Sequence, residues 1–117
     1  MALPDVPGQA VRASDLDPGR PVPEGYVLLD VREHEEWEAG HAPGAVHIPM
    51  GELPTRLDDI PEGDLLVVCR TGGRSGRSVA WLNQAGFDAY NVDGGMKEWE
   101  QAGLPVVSEK DAPPQVL

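Results

Sequence analysis

The sequence of 117 residues has one cysteine, Cys69. That rules out an intramolecular disulfide and any zinc site built from several cysteines. Basic residues are scarce, nine Lys and Arg against twenty Asp and Glu, for a formal net charge of -11. So acidic a chain is a poor match for nucleic acid or an anionic membrane surface, and solubility accounts for the surplus. No apolar run approaches the roughly 20 residues that span a bilayer. The opening Met1-Ala2-Leu3-Pro4-Asp5 lacks a basic stretch followed by an apolar core, so no secretory signal is expected. The expected location is the cytoplasm, where a thiol stays reduced. Internal repeats are absent. What remains, at 40% hydrophobic and 25% charged residues, fits one soluble domain with a real core.

The scarce residues gather in one place. Cys69-Arg70-Thr71-Gly72-Gly73-Arg74-Ser75 follows the apolar run Leu65-Leu66-Val67-Val68 and precedes a helical pattern over Ser78–Ala85. A lone cysteine is most often a small buried hydrophobe. This one lies where a buried strand ends and a helix begins. The glycines allow a tight turn that points N–H groups inward, and a helix N-terminus adds partial positive charge. Both effects lower a thiol pKa, so Cys69 is read as a nucleophile. Arg70, Arg74 and Arg77 fall within eight residues of an acidic chain, which suggests one anion pocket. Arg77 lies farther into the helix and reads equally well as a surface residue.

Elsewhere, Val11-Arg12-Ala13 reads as a first short strand, within a strand and turn over residues 1–17. The Pro- and Gly-rich stretch from Asp17 to Gly25 reads as a surface loop. Tyr26–Val31 is a near-continuous apolar run, the mark of a central strand buried on both faces. Asp30 at its end is placed to pair with Arg32, cap the next helix or brace a loop. Glu33–Ala39 reads as a short helix with a solvated acidic face, stopped by Gly40. Trp37 is expected to pack on the sheet, and His41 and His47 to be structural or exposed, with no evident carboxylate partner. Ala45–Ile48 reads as a short strand, Gly51–Leu57 as a short helix or irregular segment. Ala89–Val92 reads as another strand and Met96–Ala102 as a last helix. Leu104–Val107 reads as an edge segment. The boundaries are a domain over residues 1–107 and a frayed tail over 108–117. Alternating strands and helices predict an α/β fold, a mostly parallel sheet with helices on both faces. Ligands in such folds bind at the carboxyl ends of strands, which would bring Asp30 and Arg32 near Cys69.

Three stretches together resemble the rhodanese family in its single-domain form. Leu29-Asp30-Val31-Arg32-Glu33 with Glu36–Pro49 resembles the family's N-terminal signature, Val67–Ser75 its active-site loop, and Asn91–Trp99 its C-terminal signature. The resemblance runs from about residue 26 to 104, in the family's order and spacing. It implies a rhodanese-like three-layer sandwich with a central sheet of about five strands. It also implies a sulfurtransferase, in which a cysteine takes a sulfane sulfur from thiosulfate or a persulfide and passes it on to cyanide or a thiol. Cys69 would then be the nucleophile. Arg70, Thr71, Gly72, Gly73, Arg74 and Ser75 would bind the anionic donor, and Asp30 and Arg32 would support the loop. No cofactor or metal is implied, and a protein sulfur acceptor fits the same sequence. One departure stands out: some two-domain members carry a basic side chain after the aspartate–arginine pair, whereas this chain is acidic from Glu33 to Glu38. Thiosulfate should therefore bind less well here than a protein or small-thiol persulfide.

Two rival readings exist. Cysteine phosphatases and arsenate reductases of this fold resemble a Cys-x5-Arg loop. Here Arg74 makes the spacing Cys-x4-Arg, a smaller cradle, and no second cysteine could resolve an oxidised one. A non-catalytic binding or regulatory module is the other rival. Inactive relatives of the family typically lack the cysteine, which is present here.

Overall fold

Five short runs of extended chain pair side by side in the computed structural model, which describes residues 10–117. They are β1 (Ala10–Arg12), β2 (Tyr26–Asp30), β3 (Val46–His47), β4 (Asp64–Val68) and β5 (Ala89–Asp93). Their order in the sheet is β1-β5-β4-β2-β3, and every pairing is parallel. The helices are α1 (His34–Ala39), α2 (Gly73–Gln84) and α3 (Gly95–Gln101). The part of the expected first strand and turn that falls on residues 1–9 lies outside the described residues.

Strand β4 shows how the sequence makes two cores. Side chains alternate across a sheet, so Leu65 and Val67 enter one apolar cluster and Leu66 and Val68 the other. The first cluster is closed by Val79 and Leu82 of α2, the second by Met96 and Trp99 of α3. Helices thus cover both faces of the sheet, as expected for an α/β fold. Truncating any of these fully buried Leu residues to Ala would cost about 2–5 kcal/mol. Because all strands run parallel, their carboxyl ends gather on one edge. There the chain leaves β2 toward Arg32, β4 toward Cys69 and β5 toward Gly94.

Local expectations are met in part. The stretch expected as a short helix or irregular segment at Gly51–Leu57 is indeed a short helix, of 3-10 type, over Met50–Thr55. The Leu104–Val107 segment adds no strand; Val107 makes a lone antiparallel bridge with His41. Trp37 packs on the sheet through a side chain of its edge strand: its ring stacks on His47 of β3 at a centroid distance of 4.7 Å, and on His41 at 3.6 Å. His41 is buried, and its second ring nitrogen lies 3.4 Å from Glu109, a carboxylate partner that sequence distance hid.

The tail is not frayed. The Gln115 N–H donates to the Ala39 carbonyl (2.9 Å), and the Val116 side chain is buried against the α3 side of the core. Gly40 matters for this packing more than for stopping α1. Its backbone is extended, but a Cβ there would overlap the Gln115 backbone. Sequence locality misled here: proline-rich tails lack periodicity whether or not they dock.

Candidate active site

Strand β4 delivers Cys69 to the sheet edge, and the chain then turns into α2. The turn needs one glycine for its conformation. Gly72 has φ 122°, a region closed to residues with a Cβ. Gly73 is already helical, with nothing within 4 Å of a Cβ placed on it. The turn sets donors around the sulfur. Sγ of Cys69 accepts from the Gly72 N–H at 3.1 Å and from the Ser75 hydroxyl at 3.3 Å. Burial pushes the thiol pKa up. The Ser75 hydroxyl and the N–H groups of Ser75, Gly72 and Thr71 outweigh it and hold the thiol below its ordinary value. Cys69 is 1% exposed and Ser75 is fully buried, so this sulfur sits at the floor of its cradle. Arg70, Thr71 and Gly73 form the exposed rim.

The loop's carbonyls are turned away from the sulfur by a second helix. The Met96 N–H donates to the Cys69 carbonyl (2.8 Å) and the Lys97 N–H to the Arg70 carbonyl (3.0 Å), both from the first turn of α3. In a trans peptide the N–H points opposite to the carbonyl. Anchoring the Arg70 carbonyl on α3 therefore turns the Thr71 N–H toward the sulfur. This close approach requires Gly95. It has φ 58°, and a Cβ would lie 2.5 Å from backbone atoms of Arg70 and Cys69. Asn91 of β5 adds a third support, donating to the Gly72 carbonyl at 3.3 Å and to Asp93 at 2.9 Å. The stretch Asn91–Trp99 was visible in the sequence as a signature, but nothing in it revealed which carbonyls its N–H groups serve.

The expected support pair is present and is more local than expected. Arg32, fully buried, makes a bidentate pair with Asp30 (2.8–3.1 Å) and donates to the Gly40 carbonyl at 2.7 Å. It therefore ties the end of β2 to the end of α1. Its link to the Cys69 loop runs through the backbone, where the Val31 N–H donates to the Val68 carbonyl. His47 donates through Nε2 to the Arg32 carbonyl (2.8 Å), a structural role for that histidine.

The two loop arginines behave differently from expectation. Arg74 is held by Glu36 in a fork, at 2.7 and 2.9 Å. The Arg74 guanidinium lowers the Glu36 carboxyl pKa, and Glu36 in turn raises that of Arg74. One residue of the acidic stretch Glu33–Glu38 is thus no solvated face but a partner of the loop. Helix α1 presents it there because Glu36 also closes a capping box with Glu33. No spacing rule links residues 38 apart, so the pair was illegible in the sequence. Arg70 is exposed, and its Nε donates to the Leu117 carbonyl at 2.8 Å.

Comparison with known proteins bears on the family and the fold. A family model described as "Rhodanese-like domain" matches residues 16–102. The chain is 37% identical over 87 residues to a protein of Allochromatium vinosum named "Sulfurtransferase", covering 73% of this chain and 81% of that protein. It is 39% identical over 103 residues to the HTH-type transcriptional regulator Rv0324 of Mycobacterium tuberculosis, covering 86% of this chain but only 45% of that protein. In three dimensions it matches the crystal structure of a rhodanese-related protein from Thermoplasma volcanium with a TM-score of 0.75 and 32% identity, over 85% of this chain and 97% of the other.

Proposed function

This chain belongs to the rhodanese family, and from that premise we propose that it is a sulfurtransferase working through a persulfide on Cys69. The observation that carries the reading is the ring of donors on Sγ, from Gly72 and the Ser75 hydroxyl, which holds the thiol pKa down. A thiolate so prepared attacks the outer sulfur of a sulfane donor. With thiosulfate, a new S–S bond forms to Sγ, the donor's own S–S bond breaks, and sulfite leaves with the electron pair. The N–H groups that stabilised the thiolate then face the persulfide. In the second half, cyanide or a thiol attacks the terminal sulfur. The Sγ–S bond breaks and the Cys69 thiolate returns. With one cysteine in the chain, the sulfur can leave only to an outside acceptor.

Donor choice follows from the arginines. Arg74 has both arms of its fork on Glu36, so the donor's anionic end meets the loop N–H groups and Arg70 at the rim. This favours persulfide donors over thiosulfate, whose trailing sulfonate carries more charge. The same engaged arginine disfavours phosphoryl transfer, which needs a free fork on the equatorial oxygens. A reduced compartment such as the cytoplasm suits the chemistry.

The test is direct. Incubation with thiosulfate or a small-thiol persulfide should add about 32 Da, one sulfur, to the intact chain. Cyanide should then release thiocyanate and restore the original mass. Cys69→Ser should show neither. Hydrolysis of an aryl phosphate with no sulfur adduct from any sulfane donor would overturn the proposal.

A further inference from the structure

Beside the cradle, α2 and the Met50–Thr55 turn enclose a groove of about 300 Å³ lined by Met50, Leu53, Pro54, Arg77, Ser78 and Trp81. Three observations set it apart. First, Trp81 is 37% exposed, a large aromatic left on the surface one helical turn beyond Arg77. Second, Arg77 is the one arginine among the described residues with no hydrogen bond or ion pair; Arg12, Arg20, Arg32, Arg56, Arg70 and Arg74 each hold an oxygen. Third, the chain has no Asp or Glu between Asp64 and Asp88, although it carries twenty in all. Glu52, in the turn at the far wall, is engaged by Arg56 (2.9 Å) and His34 (3.3 Å).

The groove shares α2 with the sulfur's cradle. Ser75, whose hydroxyl touches Sγ, lies in the first turn of that helix, and at 1.5 Å per residue Arg77 lies about 3 Å and Trp81 about 9 Å farther along its axis. Met50, Leu53 and Val79 share an apolar cluster with Cys69. An apolar slot with one free cation, on a protein that elsewhere repels anions, is complementary to a segment that is both apolar and acidic. Trp and Arg are also the residues that most often anchor protein interfaces.

We infer that this groove docks a partner polypeptide whose cysteine exchanges sulfur with Cys69, with a bulky apolar residue against Trp81 and a carboxylate on Arg77. This deepens the sulfurtransferase reading and rests on it. In the transfer, the partner's thiolate attacks the terminal sulfur of the Cys69 persulfide. The partner's S–S bond forms, the Sγ–S bond breaks, and Cys69 departs as thiolate, with no outside oxidant or reductant.

The experiment uses the full chain loaded with sulfane sulfur and two synthetic peptides, each with one cysteine. In one the cysteine is flanked by leucine and glutamate, in the other by serine and lysine. The first should accept sulfur about tenfold more efficiently, the scale of one interface anchor. Arg77→Glu and Trp81→Ala should each remove that advantage while transfer to cyanide stays within about twofold, since cyanide needs no anchor. Equal rates for the two peptides, or unchanged rates in both variants, would overturn the inference. So would a small thiol that competes on equal terms with the acidic peptide. A second arm separates the two readings: Cys69→Ser protein is titrated with the acidic peptide carrying serine for cysteine, and amide shifts are mapped by NMR. Shifts on α2 in a protein whose wild type never forms a persulfide would sink the sulfurtransferase reading and leave the groove standing. A persulfide that reaches cyanide, with no shifts on α2, would do the reverse.

Discussion

Two neighbouring strands of this sheet end alike and do different work. Both β4 and β5 run into glycine-rich turns and then into helices, α2 and α3. After β4, the turn points N–H groups at a sulfur. After β5, the start of α3 points the N–H groups of Met96 and Lys97 at the Cys69 and Arg70 carbonyls of the loop after β4. The second helix end is consumed in shaping the first. A free helix N-terminus favours any anion. The α3 contact makes this one selective, because it decides which peptide dipoles face the thiolate. The donor-lined setting of Cys69 is thus the property of two adjacent strand ends, only one of which contains it.

The contrast can be broken most severely at Gly95. Gly95→Val should destabilise the fold by about 3 kcal/mol or more, from a left-handed backbone and overlap with the Cys69–Arg70 backbone. Urea unfolding measures the loss. Where folded protein is recovered, its iodoacetamide alkylation should shift to higher pH as the loop N–H groups turn away. An unaltered alkylation profile would mean that α3 does not shape the cradle.

Next comes Glu36→Gln, which leaves Arg74 unpaired beside the loop. At neutral pH the expected loss is about 1–2 kcal/mol, since one partner of a partly buried pair is gone. The sign with pH follows from the lowered Glu36 pKa. Its contribution is complete above the usual carboxylate range and is lost as pH falls through the lowered value, so wild-type and variant stabilities should converge in acid. Freed Arg74 should also lower the KM for thiosulfate. A KM unchanged in the variant would show that the Glu36 clamp does not govern donor choice.

Ser75→Ala acts on the sulfur alone and should be gentler. Loss of the hydroxyl donor should raise the thiol pKa, because that hydrogen bond favours the thiolate. Alkylation rate against pH reads this out. In the wild type, the lowered Cys69 pKa adds stability that is full above the ordinary thiol value, near 9.0, and fades as pH falls through the lowered one. The variant should lose part of that difference.

The smallest effect is expected at Gly73→Ala. That residue has helical backbone and nothing within 4 Å of a new Cβ. Stability should change by no more than about 1 kcal/mol, toward stabilisation if at all. Two glycines that look equivalent in sequence should therefore differ several-fold in cost, and a large loss at Gly73 would erase the distinction drawn between the two turns.

The elements with a periodic signal were legible beforehand. The run Leu65–Val68 reads as a buried strand because parallel strands are apolar on both faces, and α/β alternation follows from strands and helices taking turns. The cradle was legible because strand, cysteine, glycines and helix are contiguous in sequence. What could not be read were contacts between distant residues that carry no periodic mark. Glu36 looks like its neighbours Glu35 and Glu38, yet only its position on α1 lets it reach Arg74. The tail at Gln115–Leu117 has no pattern, yet its backbone packs against Gly40 and its last carbonyl accepts from Arg70.

The sequence by itself determined the fold class, the place of the lone cysteine and the strand-to-helix turn that holds it, because each depends on neighbours along the chain. The tertiary structure alone decided how that turn is held and which cations remain free. Packing brought α3 under the loop carbonyls, paired Arg74 with Glu36 and left Arg77 unpaired beside an exposed Trp81. Those outcomes are set by which surfaces meet when the sheet closes, and pairings across that distance leave no trace in local spacing.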